Sequence, residues 1–196
     1  MDFKDYPQLD DYNEFDAFNA GVEPGGLRNR NEIKILICYM LKTLEQKITK
    51  QQINEVMQTQ GIANYFEVNQ AISELLSQGN IDCDCVDNDE FLSITDIGRQ
   101  VATTLERDIP KTVREKAIKS AIKILTIAKN EQENKIEITP LEKGCHITFT
   151  MEDGQDIMME LKIYVADRAQ AELLKKNFLE DPTKVYSNIL SSLMVE

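Results

Sequence analysis

The stretch Asn64-Tyr65-Phe66-Glu67-Val68-Asn69-Gln70-Ala71-Ile72-Ser73-Glu74-Leu75-Leu76-Ser77-Gln78 decides how this chain is read. An asparagine side chain can accept a hydrogen bond from the first free N–H groups of a helix, and Tyr65, Val68, Ile72, Leu75 and Leu76 recur at helical spacing. The pattern predicts a helix with one apolar, core-facing side, capped by Asn64. Phe66, Glu67, Gln70, Ser73, Glu74 and Ser77 fall on the opposite side, which is polar and acidic and lacks any Lys or Arg.

Working toward the N-terminus, Gly61 ends a helix that Thr49 can cap and that carries Ile53, Val56 and Met57 up to about Gln60. A short extended link at Ile48 precedes it. Before that, Ile33, Leu36, Ile37, Met40, Leu41 and Leu44 mark a helix from Asn31 to Leu44. Toward the C-terminus, Ile81, Cys83 and Cys85 alternate as a strand that turns at Asp87-Asn88-Asp89 into Phe91, Leu92 and Ile94. Thr95 then caps a helix to about Arg107. Three helices, a two-strand hairpin and an exit helix over residues 31–107 have the order of a winged helix-turn-helix, a fold that usually sits on DNA with its third helix toward the base edges.

Pro110 breaks the exit helix, and a longer one follows from about Lys111 to Lys129. Its stripe of Val113, Ala117, Ile118, Ala121, Ile122, Leu125 and Ala128 must bury against something; a two-fold homodimer is one common solution. The period then changes to alternation in three runs around Ile136–Ile138, Ile147–Met151 and Ile157–Val165, with Asp153-Gly154 as a tight turn that makes the last two antiparallel. Two helices finish the chain, one from about Asp167 to Phe178 and one opening at Asp181-Pro182, a cap followed by proline in the first turn. The expected class is therefore α+β. It comprises an acidic arm (1–30), a winged helix-turn-helix (31–107), a linking or dimerisation helix (108–134), and a small α/β domain with an antiparallel sheet (135–196).

Charge argues against the usual partner of that fold. The 196 residues carry a net charge of −12, which opposes non-specific attraction to polyphosphate, because such binding comes largely from Lys and Arg displacing counterions. Residues 31–107 hold six cations against twelve acids, and the expected hairpin tip offers Asp87, Asp89 and Glu90 where a phosphate would need a base. Any contact with nucleic acid must be local. The candidates are Arg28, Arg30 and Lys34 at the start of the first helix and Lys47 and Lys50 before the second, positions from which they could clamp a backbone on either side of the third helix. Asn69, Gln70 and Ser73 would then be neutral readers of bases. The only basic segment, residues 108–135, is read first as a solvated helical face.

Signals for chemistry are nearly absent. There is one histidine, no Gly-rich phosphate loop and no nucleophile motif, and the adjacent Cys145 and His146 on a strand point to opposite faces. Cys38, Cys83, Cys85 and Cys145 show no C-x-x-C spacing, so a metal site built on Cys83, Cys85, Cys145 and His146 matches no zinc pattern. No enzyme activity, cofactor or metal is expected. No apolar run is long enough to span a bilayer and the N-terminus is acidic, so no membrane and a cytoplasmic location are expected. Phe3, Tyr6, Tyr12, Phe15 and Phe18 in the leading arm could pack on a partner subunit.

Three segments carry a resemblance. Gly25-Gly26-Leu27-Arg28 through Glu32-Ile33-Lys34-Ile35-Leu36-Ile37-Cys38-Tyr39, then Asn64-Tyr65-Phe66-Glu67-Val68, and finally Asp181-Pro182-Thr183-Lys184-Val185-Tyr186 resemble an uncharacterised winged-helix family of Gram-positive anaerobes. That family is catalogued as a domain of unknown function and described as transcriptional regulators. The similarity covers about residues 22–193 and implies the fold more than the activity, with no site residues to carry over. The expectation it leaves is a homodimeric DNA-binding transcriptional regulator on double-stranded DNA. The alternative is a winged-helix protein-interaction module that offers its acidic face to a basic protein partner and does not bind DNA.

Overall fold

The computed structural model describes residues 21–194 except 28, 88 and 155. It contains seven α-helices and two antiparallel three-stranded sheets among those residues. The chain divides into two compact units, the first ending at Lys119 and the second beginning at Ser120.

In the first unit, helix α1 (Arg30–Leu44) begins one residue before the expected Asn31 because the Asn29 side chain caps it, accepting from the Asn31 N–H at 2.8 Å. Its Ile33, Leu36, Ile37 and Met40 have no exposed surface at all and form the centre of the core. Strand β1 (Ile48–Thr49) leads into α2 (Lys50–Thr59), where Thr49 and Gln52 form a reciprocal capping box: the Gln52 N–H donates to Thr49 Oγ1 (3.1 Å) and the Thr49 N–H to Gln52 Oε1 (2.9 Å). Helix α3 (Tyr65–Ser77) is capped by Asn64, which accepts from the Glu67 N–H at 2.9 Å.

Strands β2 (Ile81–Val86) and β3 (Asp89–Ile94) form a hairpin that turns at Asp87, whose φ of 49° lies in the left-handed region that short polar side chains tolerate. Strand β1 pairs with the other edge of β3, Ile48 opposite Leu92, so the sheet order is β1-β3-β2. The expected link at Ile48 is thus a strand. Helix α4 (Asp96–Leu105) starts at the Thr95 cap and stops short of Arg107, where a 3-10 turn over Glu106–Asp108 tightens the chain ahead of Pro110.

Helix α5 (Lys111–Glu133) runs four residues past the expected end because no glycine or proline stops it before the next strand. Val113, Ala117 and Ala121 of its apolar stripe are buried within the chain, and Ile122 is left 52% exposed.

The second unit holds β4 (Asn134–Pro140), β5 (Cys145–Asp153) and β6 (Asp156–Val165), all antiparallel in the order β4-β5-β6. Gly154, at φ +65°, makes the tight turn between β5 and β6. Alternation sends Ile147, Phe149 and Val165 to an inner face that packs with Phe178 and Leu179 of α6 (Arg168–Glu180). The Phe149 and Phe178 rings lie 4.5 Å apart. Asp167 caps α6, and Asp181 caps α7 (Pro182–Met194) by accepting from the Lys184 N–H at 2.9 Å.

Candidate functional site

The face of α3 is where the fold and the charge pattern meet. Val68, Ala71, Ile72 and Leu75 are buried, whereas Tyr65 and Leu76, expected in the core, are 51% and 36% exposed. Tyr65 is the first residue of the helix and sits beyond the layer that the core covers. Its ring meets Phe66 edge to face at 5.8 Å, and Phe66 is 79% exposed, so the helix begins with two aromatic rings in solvent.

Glu67 and Glu74 lie on the side of α3 next to α1, and there they meet the cations expected to clamp phosphate. The Arg30 guanidinium donates to Glu67 at 2.8 Å and to Glu74 at 3.2 Å, and Lys34 Nζ lies 3.0 Å from the second oxygen of Glu74. Hydrogen bonding to Glu67 raises the pKa of Arg30, and hydrogen bonding to Lys34 holds the Glu74 carboxyl below the usual carboxylate range. The remaining pair of candidates behaves alike. Lys47 is bonded to Asp84 of β2, and Lys50 Nζ lies 3.0 Å from Glu90 of β3. Arg28 lies outside the described residues. Each of the other four candidate cations therefore has a carboxylate of its own chain as partner, and a charge cancelled at such distances attracts an approaching phosphate weakly.

Of the candidate base readers, Asn69 is engaged inside the unit. Its Nδ2 donates to the Tyr65 carbonyl at 2.7 Å and to Oδ1 of the buried Asn54 at 3.2 Å, tying α3 to α2. Gln70 and Ser73 are exposed, and the Ser73 hydroxyl donates back to the Asn69 carbonyl at 3.1 Å. The structure thus keeps Gln70 and Ser73 together on the solvent face, and draws Asn69, Arg30, Lys34, Lys47 and Lys50 into internal pairs.

Beside the aromatic pair, α2, the start of α3 and the start of β3 border an open cleft of about 620 Å³. Glu55, Asp89 and Glu90 line it against one cation, Lys50, which is already paired with Glu90. Neither Glu55 nor Asp89 has an ion-pair partner among the described residues. The neutral lining comes from Gln51, Gln58 and the Asn54–Asn69 pair. This is a polar, acidic concavity with the Tyr65 ring in its lining.

Two features escaped the sequence. One is the internal pairing, whose signal was the spacing: Arg30 and Lys34 are one helical turn apart, Glu67 and Glu74 two turns apart, and parallel rows of opposite charge can mate across a helix pair. The other is a backbone strap in the segment read as a loop before α1. The Glu23 N–H donates to the Gly61 carbonyl (2.9 Å) and the Leu27 N–H to the Ile62 carbonyl (2.8 Å), so the turn between α2 and α3 is bound by the chain's own N-terminal segment. A Cβ at Gly26 would stand 2.7 Å from the Gly61 carbonyl oxygen, which is why glycine is needed there.

Residues 33–193 match a family described as a domain of unknown function, DUF4364. The chain belongs to that family. The DUF4364 description assigns no activity, and no curated protein and no solved structure matches the chain. Within this DUF4364 chain Cys83 and Cys85 neighbour each other on β2, and the other two thiols lie apart. Cys38 and Cys145 are buried in separate units, and burial pushes the Cys38 thiol up to about 12. His146 faces away from Cys145 and stacks edge to face on Tyr164 at 6.2 Å. Among the described residues no group of three or more His, Cys, Asp or Glu is placed to hold a metal, and no helix is long and apolar enough to cross a membrane.

Proposed function

We propose that the first unit of this chain is a winged helix that serves as a protein-interaction module and receives a basic segment of a partner protein, without binding DNA. The order α1-β1-α2-α3-β2-β3 with the sheet β1-β3-β2 supports the winged-helix reading, with the β2–β3 hairpin as the wing. One observation carries the functional reading: Arg30, Lys34, Lys47 and Lys50 are paired with Glu67, Glu74, Asp84 and Glu90. With those cations spent internally, the cleft between α2, α3 and the wing presents Glu55 and Asp89. The Tyr65 ring in its lining can stack on a guanidinium or ammonium.

The test is fluorescence anisotropy of the full chain against a labelled Lys/Arg-rich peptide and a labelled mixed-sequence duplex, at about 50 mM salt, where phosphate contacts are strongest. The peptide should bind, and the double variant Glu55→Lys/Asp89→Lys should weaken it while the duplex stays free. Saturable duplex binding that falls steeply with salt would overturn the reading.

A second reading, a homodimeric DNA-binding transcriptional regulator in the cytoplasm, draws support from the exposure of Gln70 and Ser73. It predicts that Gln70→Ala weakens duplex binding in that assay.

A further inference from the structure

Among the described residues, the sheet of the second unit has an unpaired edge on each outer strand, β4 and β6, and that of β6 is the longer. Strand β6 spans Asp156–Val165 and is bonded along one side to β5, and no strand among the described residues pairs with its other side. An edge of that length presents a row of free N–H and C=O groups, a template for another strand. Its side chains are also unusually exposed for an apolar strand: Ile157 is 59%, Met158 46% and Tyr164 57% accessible. On the outer face Glu160 and Lys162 are both exposed, and neither forms an ion pair within the chain among the described residues. Lys135 of β4, on the same sheet, is by contrast bonded to Glu137 of its own strand at 3.1 Å.

The sequence of β6 is self-complementary about Leu161. In an antiparallel pair of identical strands with Leu161 opposite Leu161, Glu160 comes opposite Lys162 of the second strand and Lys162 opposite its Glu160, so two cross-strand ion pairs form on the outer face. On the inner face Met159 comes opposite Ile163, apolar against apolar, and further out Met158 comes toward Tyr164. A lysine on an edge strand commonly discourages pairing. Here the glutamate two residues away answers it in this one register, and a slip of a single residue would put apolar side chains opposite charges.

We propose that the free edge of β6 pairs antiparallel with β6 of a second copy of this chain about a two-fold axis at Leu161, joining two three-stranded sheets into one of six strands. The axis runs perpendicular to the sheet, so both copies keep their inner faces on the same side. This surface is distinct from the apolar stripe of α5, and every residue it uses lies in the second unit, so it stands apart from the reading of the first.

Sedimentation velocity of the full chain tests it, with Glu160→Lys, Lys162→Glu and the double reversal, each checked by far-UV circular dichroism and thermal melting. Both positions are solvent-exposed, so the fold should survive all three. The native chain should be a dimer. Each single reversal turns two attractive pairs into two repulsive ones and should raise the dimer dissociation constant about tenfold or more. The double reversal restores opposite charges across the axis and should recover the dimer. A native monomer at about 100 µM, a concentration that would populate even a weak dimer, overturns the proposal. So does a dimer indifferent to the single reversals, which would place the contact elsewhere. Failure of the double variant to recover the dimer overturns the register.

Discussion

The two units treat their charges in opposite ways. Around α3 every described candidate cation finds an acid within the chain, Arg30 and Lys34 on Glu67 and Glu74, Lys47 and Lys50 on the β2–β3 hairpin. On β6, Glu160 and Lys162 form no ion pair among the described residues, in a strand whose far edge no described strand pairs. The comparison teaches that a cluster of bases is a ligand site only if its own fold has not already supplied the anions. On the proposed β6 pairing, charges that form no ion pair within one chain would match across two.

The largest expected effect breaks the second half of that comparison. Phe178→Ala removes the ring that lies on Phe149 under the sheet and should cost about 3–5 kcal/mol of stability, since the cavity adds to the lost transfer energy. Chemical denaturation followed by circular dichroism measures it, and self-association through β6 should fall with it.

Next, Glu67→Gln/Glu74→Gln would release Arg30 and Lys34. If pairing is what keeps phosphate away, duplex affinity at low salt should rise, with the log–log salt slope steepening by about 0.9 for each phosphate newly contacted. Unchanged affinity would mean that the overall charge of −12, rather than the local pairs, does the excluding.

Acid sharpens the same contrast. The Glu74 carboxyl is held below its ordinary value of 4.5 in the folded chain, chiefly by its hydrogen bond with Lys34. Its contribution is therefore fully present above that ordinary value and is lost as pH falls through the depressed one. Melting temperature should drop on acidification below about 4.5, and Glu74→Gln should flatten the drop.

The smallest effect is a labelling order. Exposed Cys85 should react with iodoacetamide first. Cys38, buried and pushed up to about 12, and Cys145, buried on the inner face of the second sheet, should react only as their own units open, which mass spectrometry can follow separately.

Much of the fold was legible because it rests on local chemistry. The caps at Thr49, Asn64, Thr95 and Asp181, the helical period of α1 and the alternation of β4 to β6 each act over a few residues. The misplacements fell where distant segments decide. Tyr65 follows the helical period yet lies past the edge of the core, and Ile48 became a strand because β3 offered it a partner. At the candidate site the residue types were visible, but their use was not. Asn69 turned inward to Asn54, across fifteen residues of sequence.

By itself, then, the chain of residues determined which segments are helices and strands to within a few residues at their ends, which faces are apolar, and that the net charge is acidic. Only the tertiary structure decided which charges remain for a partner. Ion pairing depends on separations of a few ångströms between groups tens of residues apart, such as Arg30 and Glu67, and neither period nor composition encodes that distance.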